Sequence, residues 1–239
     1  MGLFGEIELS EIKNVVMTVS EVYNPNNPTS KGGYVHGTHA NSDKVAAVGC
    51  LIGVSYHRGN TVENCATSGY EVKYISADDV PFRGVSVGGL IGISMSDTKH
   101  CTACCDVRVD LKDFRDDDWF GSENIRPITM GGLIGSQYYN GVSNCYAGGT
   151  INISIQDHND IDEMSGLAAG GISGALMIIP SKEYPGLGSN VDNPVYQNCY
   201  SYTRVLIGEQ FNATTVHVAP IAPKVRFNLP AVRLGDLFL

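Results

Sequence analysis

Large apolar positions recur along this chain in a phrase bracketed by glycine, not in a helical stripe. The phrase occurs five times, as Gly2-Leu3-Phe4-Gly5, Cys50-Leu51-Ile52-Gly53, Gly89-Leu90-Ile91-Gly92, Gly132-Leu133-Ile134-Gly135 and Gly171-Ile172-Ser173-Gly174. A second phrase follows each copy: Asn14-Val15, Asn64-Cys65, His100-Cys101, Asn144-Cys145 and Asn198-Cys199. Aligned on the last glycine (5, 53, 92, 135 and 174), successive units lie 48, 39, 43 and 39 residues apart. A two-part unit repeating at this scale marks copies of one structural element, stacked or set in a ring.

The columns of the alignment assign faces. Leu3, Leu51, Leu90, Leu133 and Ile172 are always large and apolar and are placed inward, whereas the next column accepts Ser173. The glycines beside them suit a corner that needs either positive φ or a close approach between stacked turns. In the second phrase a mostly apolar column (Ile12, Val62, Thr98, Val142, Tyr196) precedes a polar one (Lys13, Glu63, Lys99, Ser143, Gln197), then Asn or His, then Val or Cys. An unbroken strand alternates faces with period two, which would put Glu63 and Cys65 on one side. A bend at the asparagine column removes the conflict. Asparagine tolerates the left-handed region and makes local hydrogen bonds, so it turns the thiols back inside, and stacked asparagines are expected to bond one another along the axis.

After the cysteine each unit passes into an alternating strand, at 70–75, 106–111, 150–155 and 204–207. No segment sustains a helical period. The chain reads as all-β: a parallel β-solenoid of about five irregular repeats over 1–207, the first truncated, with 208–239 as a C-terminal cap or the start of a following segment. The extra residues, around 24–44, 76–84, 112–129 and 156–165, fall between the last strand and the next glycine phrase, so long loops are expected on one side. The fifth unit differs, with its insertion at 177–195 between the two phrases. The alternative is a five-bladed β-propeller. It is disfavoured because each unit shows about three short strands and the cysteine column suits stacking.

Composition narrows the function classes. Hydrophobic residues are 43% and charged residues 17%, enough apolar material for a core and too little charge for a disordered chain. A formal charge of −9 repels phosphate backbones, so nucleic acid is not an expected partner. The most apolar stretch, 164–180, is shorter than the roughly 20 residues of a membrane helix and carries glycines, so no membrane span is expected in this segment. Met1 leads straight into a glycine phrase with no apolar leader, and the natural protein is expected to continue upstream. The 7 cysteines are odd in number, and four share one repeat position, which reads as a buried column of free thiols.

The phrases at 131–135 and 144–149, Gly-Gly-Leu-Ile-Gly and Asn-Cys-Tyr-Ala-Gly-Gly, resemble the GLUG motif of bacterial surface proteins. The resemblance covers four units over 47–205 and a truncated one at the start, departing at Cys50, His100, Ser173 and in the long insertions. It implies a right-handed parallel β-helix in an extracellular or cell-surface setting. The family includes adhesin-like proteins and the non-catalytic region of IgA-specific metallopeptidases.

Four constellations could carry chemistry. His100, Cys101, Cys104 and Cys105 are zinc-ligand types, but His100 and Cys101 already have structural places. His36 and His39 have only Asp43 nearby as a further ligand. The acidic insertions, with Asp113, Asp116, Asp117, Asp118 and Glu123 in one and Asp157, Asp160, Asp162 and Glu163 in the next, offer oxygen ligands. Calcium is the one cofactor they suggest, held by Asp116, Asp118, Asp160 and Asp162. Trp119, Phe120, Tyr138 and Tyr139, with Asp116, Asp117 and Asp118, are the candidate ligand-binding residues, since aromatics beside carboxylates hold sugar rings; the same aromatics could equally cover the solenoid edge. No catalytic residue is assigned, because the chain lacks the common hydrolase and nucleotide-binding motifs. The function expected is a non-catalytic repeat module of a bacterial surface or secreted protein, binding a host or microbial glycan or surface protein, or acting as a spacer. A polysaccharide-active enzyme using the acidic loops and a purely structural stalk are the alternatives.

Overall fold

The computed structural model describes residues 1–19, 33–38, 45–75, 84–111, 128–155, 167–177, 195–207 and 216–225. From the second unit to the fifth, each unit forms one turn of a coil with four strands, and each strand joins a separate parallel sheet. Sheet I holds Ala46–Gly49, Val85–Gly88, Ile128–Gly131, Leu167–Gly170 and Val216–Ala219. Sheet II holds Phe4–Ile7, Ile52–Ser55, Ile91–Ser94, Ile134–Gln137, Ser173–Met177 and Lys224–Val225. Sheet III holds Glu11–Lys13, Thr61–Glu63, Asp97–Lys99, Val142–Ser143 and Tyr196–Gln197. Sheet IV holds Val16–Thr18, Ala66–Ile75, Thr102–Leu111, Tyr146–Ile155 and Tyr200–Ile207.

Neighbours in every sheet come from successive units and pair in parallel, with equivalent residues in register: Ile52, Ile91 and Ile134, for example, stand side by side. This is a parallel β-solenoid. A propeller builds each sheet from the strands of one unit, so the ring alternative is set aside.

Four strands per turn, not three, follow from how sheets I and II are covered. Every residue of Val85–Gly88, Ile91–Ser94, Ile128–Gly131 and Ile134–Gln137 is buried. Strands covered on both faces lose the alternating signature and read as one apolar run, so the sequence conceals the corner between them.

One interior cluster joins sheet I to the far half of sheet IV through Val87, Met130, Val107, Val109 and Ile151. A second joins sheets II and III to the near half of sheet IV through Leu90, Leu133, Val142, Cys101 and Cys145. A smaller one, with Ile93, Ala168 and Ala175, fills the angle between sheets I and II.

The sheet IV strands begin directly after the second phrase, earlier than the alternation alone suggests. Gly33–Thr38 also pairs with Ala66–Ile75, next to the part that pairs with Val16–Thr18. The coil runs past residue 207, where the sequence reading ends the repeat: Val216–Ala219 adds to sheet I and Lys224–Val225 to sheet II.

The connections 76–84, 112–127, 156–166 and 208–215 all leave from the end of a sheet IV strand and return at the start of a sheet I strand. Their anchor points therefore line one corner, as expected. The exception, 178–195, joins sheet II to sheet III. Among the described residues no helix is long and apolar enough to cross a membrane; residues 167–177 of the apolar stretch are two strands and their corner.

Candidate functional site

Both repeated phrases build corners, by different means. At the corner between sheets I and II a Cβ on Gly49, Gly88, Gly131 or Gly170 would overlap the carbonyl oxygen of Ile52, Ile91, Ile134 or Ser173. None of these glycines has positive φ. Close backbone approach is thus what selects glycine here. Where the two sheets face each other, Ser86 Oγ donates to Gly92 O (2.8 Å), and Ser86, Thr129 and Ser136 bond one another at 2.7–2.9 Å. Burying hydroxyls is tolerated because each finds a partner.

The corner between sheets III and IV is set by φ. Asn14, Asn64, His100, Asn144 and Asn198 have φ of 59°, 53°, 52°, 53° and 52°. Their side chains form the expected ladder on the outer surface: Asn64 Nδ2 donates to Asn14 Oδ1 (3.3 Å), Asn198 Nδ2 donates to Asn144 Oδ1 (3.1 Å), and Asn144 Nδ2 lies 3.2 Å from His100 Nε2. His100 also reaches Glu63, at 3.9 Å.

Directly inside that corner the thiols stack. Cys65, Cys101 and Cys145 are buried, and Cys199 at the last turn is half-buried. Each donates to the carbonyl two residues earlier, Cys101 to Lys99 O (3.1 Å) and Cys145 to Ser143 O (3.2 Å). All seven cysteines are free. The flanking thiols of Cys145 and Cys65, with burial, push Cys101 well above the usual thiol range. The same thiol contacts hold Cys145 and Cys65 below the usual range, and burial in the interior cluster makes the column part of the packing.

The sequence-assigned ligand residues fare differently. Trp119, Phe120, Asp116, Asp117, Asp118, Asp160 and Asp162 lie outside the described residues, as do His39 and Asp43. The ends of their two acidic loops are in register, Leu111 beside Ile155 and Ile128 beside Leu167, so the loops spring from adjacent turns. Tyr138 and Tyr139 are 7% and 3% exposed. Tyr139 lies under the Arg58 guanidinium, 3.9 Å from its ring centre, at the corner between sheets II and III. Of the two roles open to these tyrosines, burial supports the covering one.

His36 bonds Glu71 (3.2 Å) and packs on Tyr34. Around the zinc-like run, Cys101 and Cys105 point into two different interior clusters while His100 is exposed. No group of three or more metal-ligand side chains converges among the described residues.

The alignment did not single out Tyr146, Tyr200 and Tyr202, which are 39%, 69% and 83% exposed on the outer face of sheet IV. The signal was present: a residue directly after an inward thiol starts the strand facing out.

Residues 127–152 match the model of the GLUG motif. That stretch runs from a sheet I strand through both corners into sheet IV, one turn of the coil. No curated protein and no solved structure matches the chain. One turn of the coil therefore carries the GLUG motif, and the same two phrases shape its neighbours.

Proposed function

We propose that this chain is a non-catalytic module of a bacterial cell-surface or secreted protein, a rigid coil that holds variable loops along one edge for ligand binding. The observation that carries the reading is the common corner. The repeated residues are spent on the coil itself, while the connections 76–84, 112–127 and 156–166 depart from one line of stacked strand ends. Loops positioned by a rigid scaffold are the usual place for recognition. The acidic and aromatic residues Asp116, Asp117, Asp118, Trp119 and Phe120 belong to one of these loops, and Asp160 and Asp162 to the next. Carboxylates in adjacent loops suit a calcium ion that orders them, and the aromatic pair suits the face of a sugar ring.

A glycan array probed with the whole chain, with and without calcium, tests this reading. Binding that needs calcium and disappears in Trp119→Ala supports it. Release of reducing ends from a polysaccharide would instead mark an enzyme, and equal binding by the wild type and Trp119→Ala would remove the loop from the account.

A further inference from the structure

We propose that the outer face of sheet IV in its Tyr146–Ile155 and Tyr200–Ile207 strands is a second, independent ligand surface: a platform on which Tyr146, Tyr200 and Tyr202 stack against the apolar faces of a neutral oligosaccharide. Tyr146 and Tyr200 are register partners on adjacent turns, and Tyr202 stands beside Gly148. The point where a Gly148 Cβ would sit lies 3.3 Å from Tyr146 Oη, 3.5 Å from its Cε1 and 3.6 Å from Cys104 Sγ. The Tyr146 ring is therefore laid across the glycine, along the sheet, with one face open. Gly149 follows at φ 104°, where a Cβ would overlap the Cys105 carbonyl oxygen, so glycine is needed here by both φ and space. A side chain at position 148 would lift the ring.

The size and charge of this strip of rings select its occupant. At the exposures given above, the three rings offer about 300–500 Å², whereas a stable protein interface takes about 800 Å² from each partner. A second copy of this chain would also bring its own charge of −9. The strip is narrow and bordered by hydrogen-bonding groups. Thr150 donates through Oγ1 to Asp106 Oδ1 at 2.6 Å, and Arg204 stands beside Thr150 in register. A flat ligand with an apolar face and hydroxylated edges matches this pattern: the faces lie on tyrosine, the edges reach Thr150, Asp106 and Arg204. Tyrosine suits the task because it presents a rigid, amphipathic ring with little rotamer freedom to lose.

Affinity electrophoresis of the whole chain through gels containing hydroxyethylcellulose, galactomannan, dextran or polygalacturonate tests the platform. Retardation by at least one of the three neutral polymers is expected, weakened about tenfold or more in Tyr200→Ala/Tyr202→Ala. Trp119→Ala should retain it, which separates this surface from the loop reading. Gly148→Val should weaken it as well, with circular dichroism confirming that each variant keeps its β-sheet signal. No retardation by any neutral polymer would overturn the proposal. So would retardation that survives loss of the tyrosines, retardation only by polygalacturonate and lost in Arg204→Ala, or a dimer in sedimentation equilibrium that the tyrosine variants dissolve.

Discussion

The glycine corner and the asparagine corner recur once per turn, yet they obey different constraints. At the first, backbone meets backbone, and the space for a Cβ at Gly49, Gly88, Gly131 and Gly170 is already filled by a carbonyl. At the second, the chain needs only a left-handed residue whose side chain points to solvent, so His100 can stand where its equivalents are asparagine. A volume constraint admits one residue type. A φ constraint admits several, at a graded cost. The first corner is therefore the stricter part of the repeat, and the second is where it can drift.

The sharpest way to break this contrast is Gly131→Ala. Overlap with the Ile134 carbonyl should cost about 3 kcal/mol or more, or prevent folding, since overpacking a corner forces the backbone to move. Gly5→Ala, with nothing within 4 Å of its Cβ position, should stay within about 0.5 kcal/mol in urea denaturation. Next in size is Leu133→Ala. It empties a fully buried site and should cost about 2–5 kcal/mol, whereas Leu3→Ala, at the exposed first turn, should cost little. Asn144→Ala places a Cβ-bearing residue without the asparagine side chain at φ 53° and should cost about 1–2 kcal/mol. Asn144→Gly should fall within about 0.5 kcal/mol of the parent.

The last effect is pH-dependent. Burial raises Tyr74 from 10.0 to about 12. Between those values the unfolded chain loses the phenol proton while the folded chain keeps it, so stability should fall as pH rises from about 10 to 12. Tyr74→Phe should flatten that decline. A stability curve already level across this range would mean the ring is not sealed in the core.

The two corners were also unequally legible. The asparagine corner could be read in full, because the alternation of Val62, Glu63, Asn64 and Cys65 conflicts with a straight strand and only a left-handed bend restores it. At the glycine corner the sequence left two causes open, and it merged sheets I and II into one apolar run because both faces of each strand are buried. The burial of Tyr138 and Tyr139 was hidden for another reason. The cover over Tyr139 is Arg58, which comes from two turns earlier and has no signal near the tyrosines. Tyr146 and Tyr200 directly follow the thiols, and their outward direction could have been derived from the same phase argument that placed the cysteines.

Stacking in a line, and not in a ring, is what every corner and column above depends on. It can be measured with nitroxides attached by oxime chemistry to p-acetylphenylalanine at three outward sheet III positions, Lys13, Ser143 and Gln197, which belong to one register column. Pulsed dipolar spectroscopy of the 13–143 and 13–197 pairs reads separations three and four strand spacings long, about 14 Å and about 19 Å between backbones. In a linear coil the 13–197 distance is the longer. In a closed ring of five units the first and fifth are neighbours, the order reverses, and the parallel coil is contradicted.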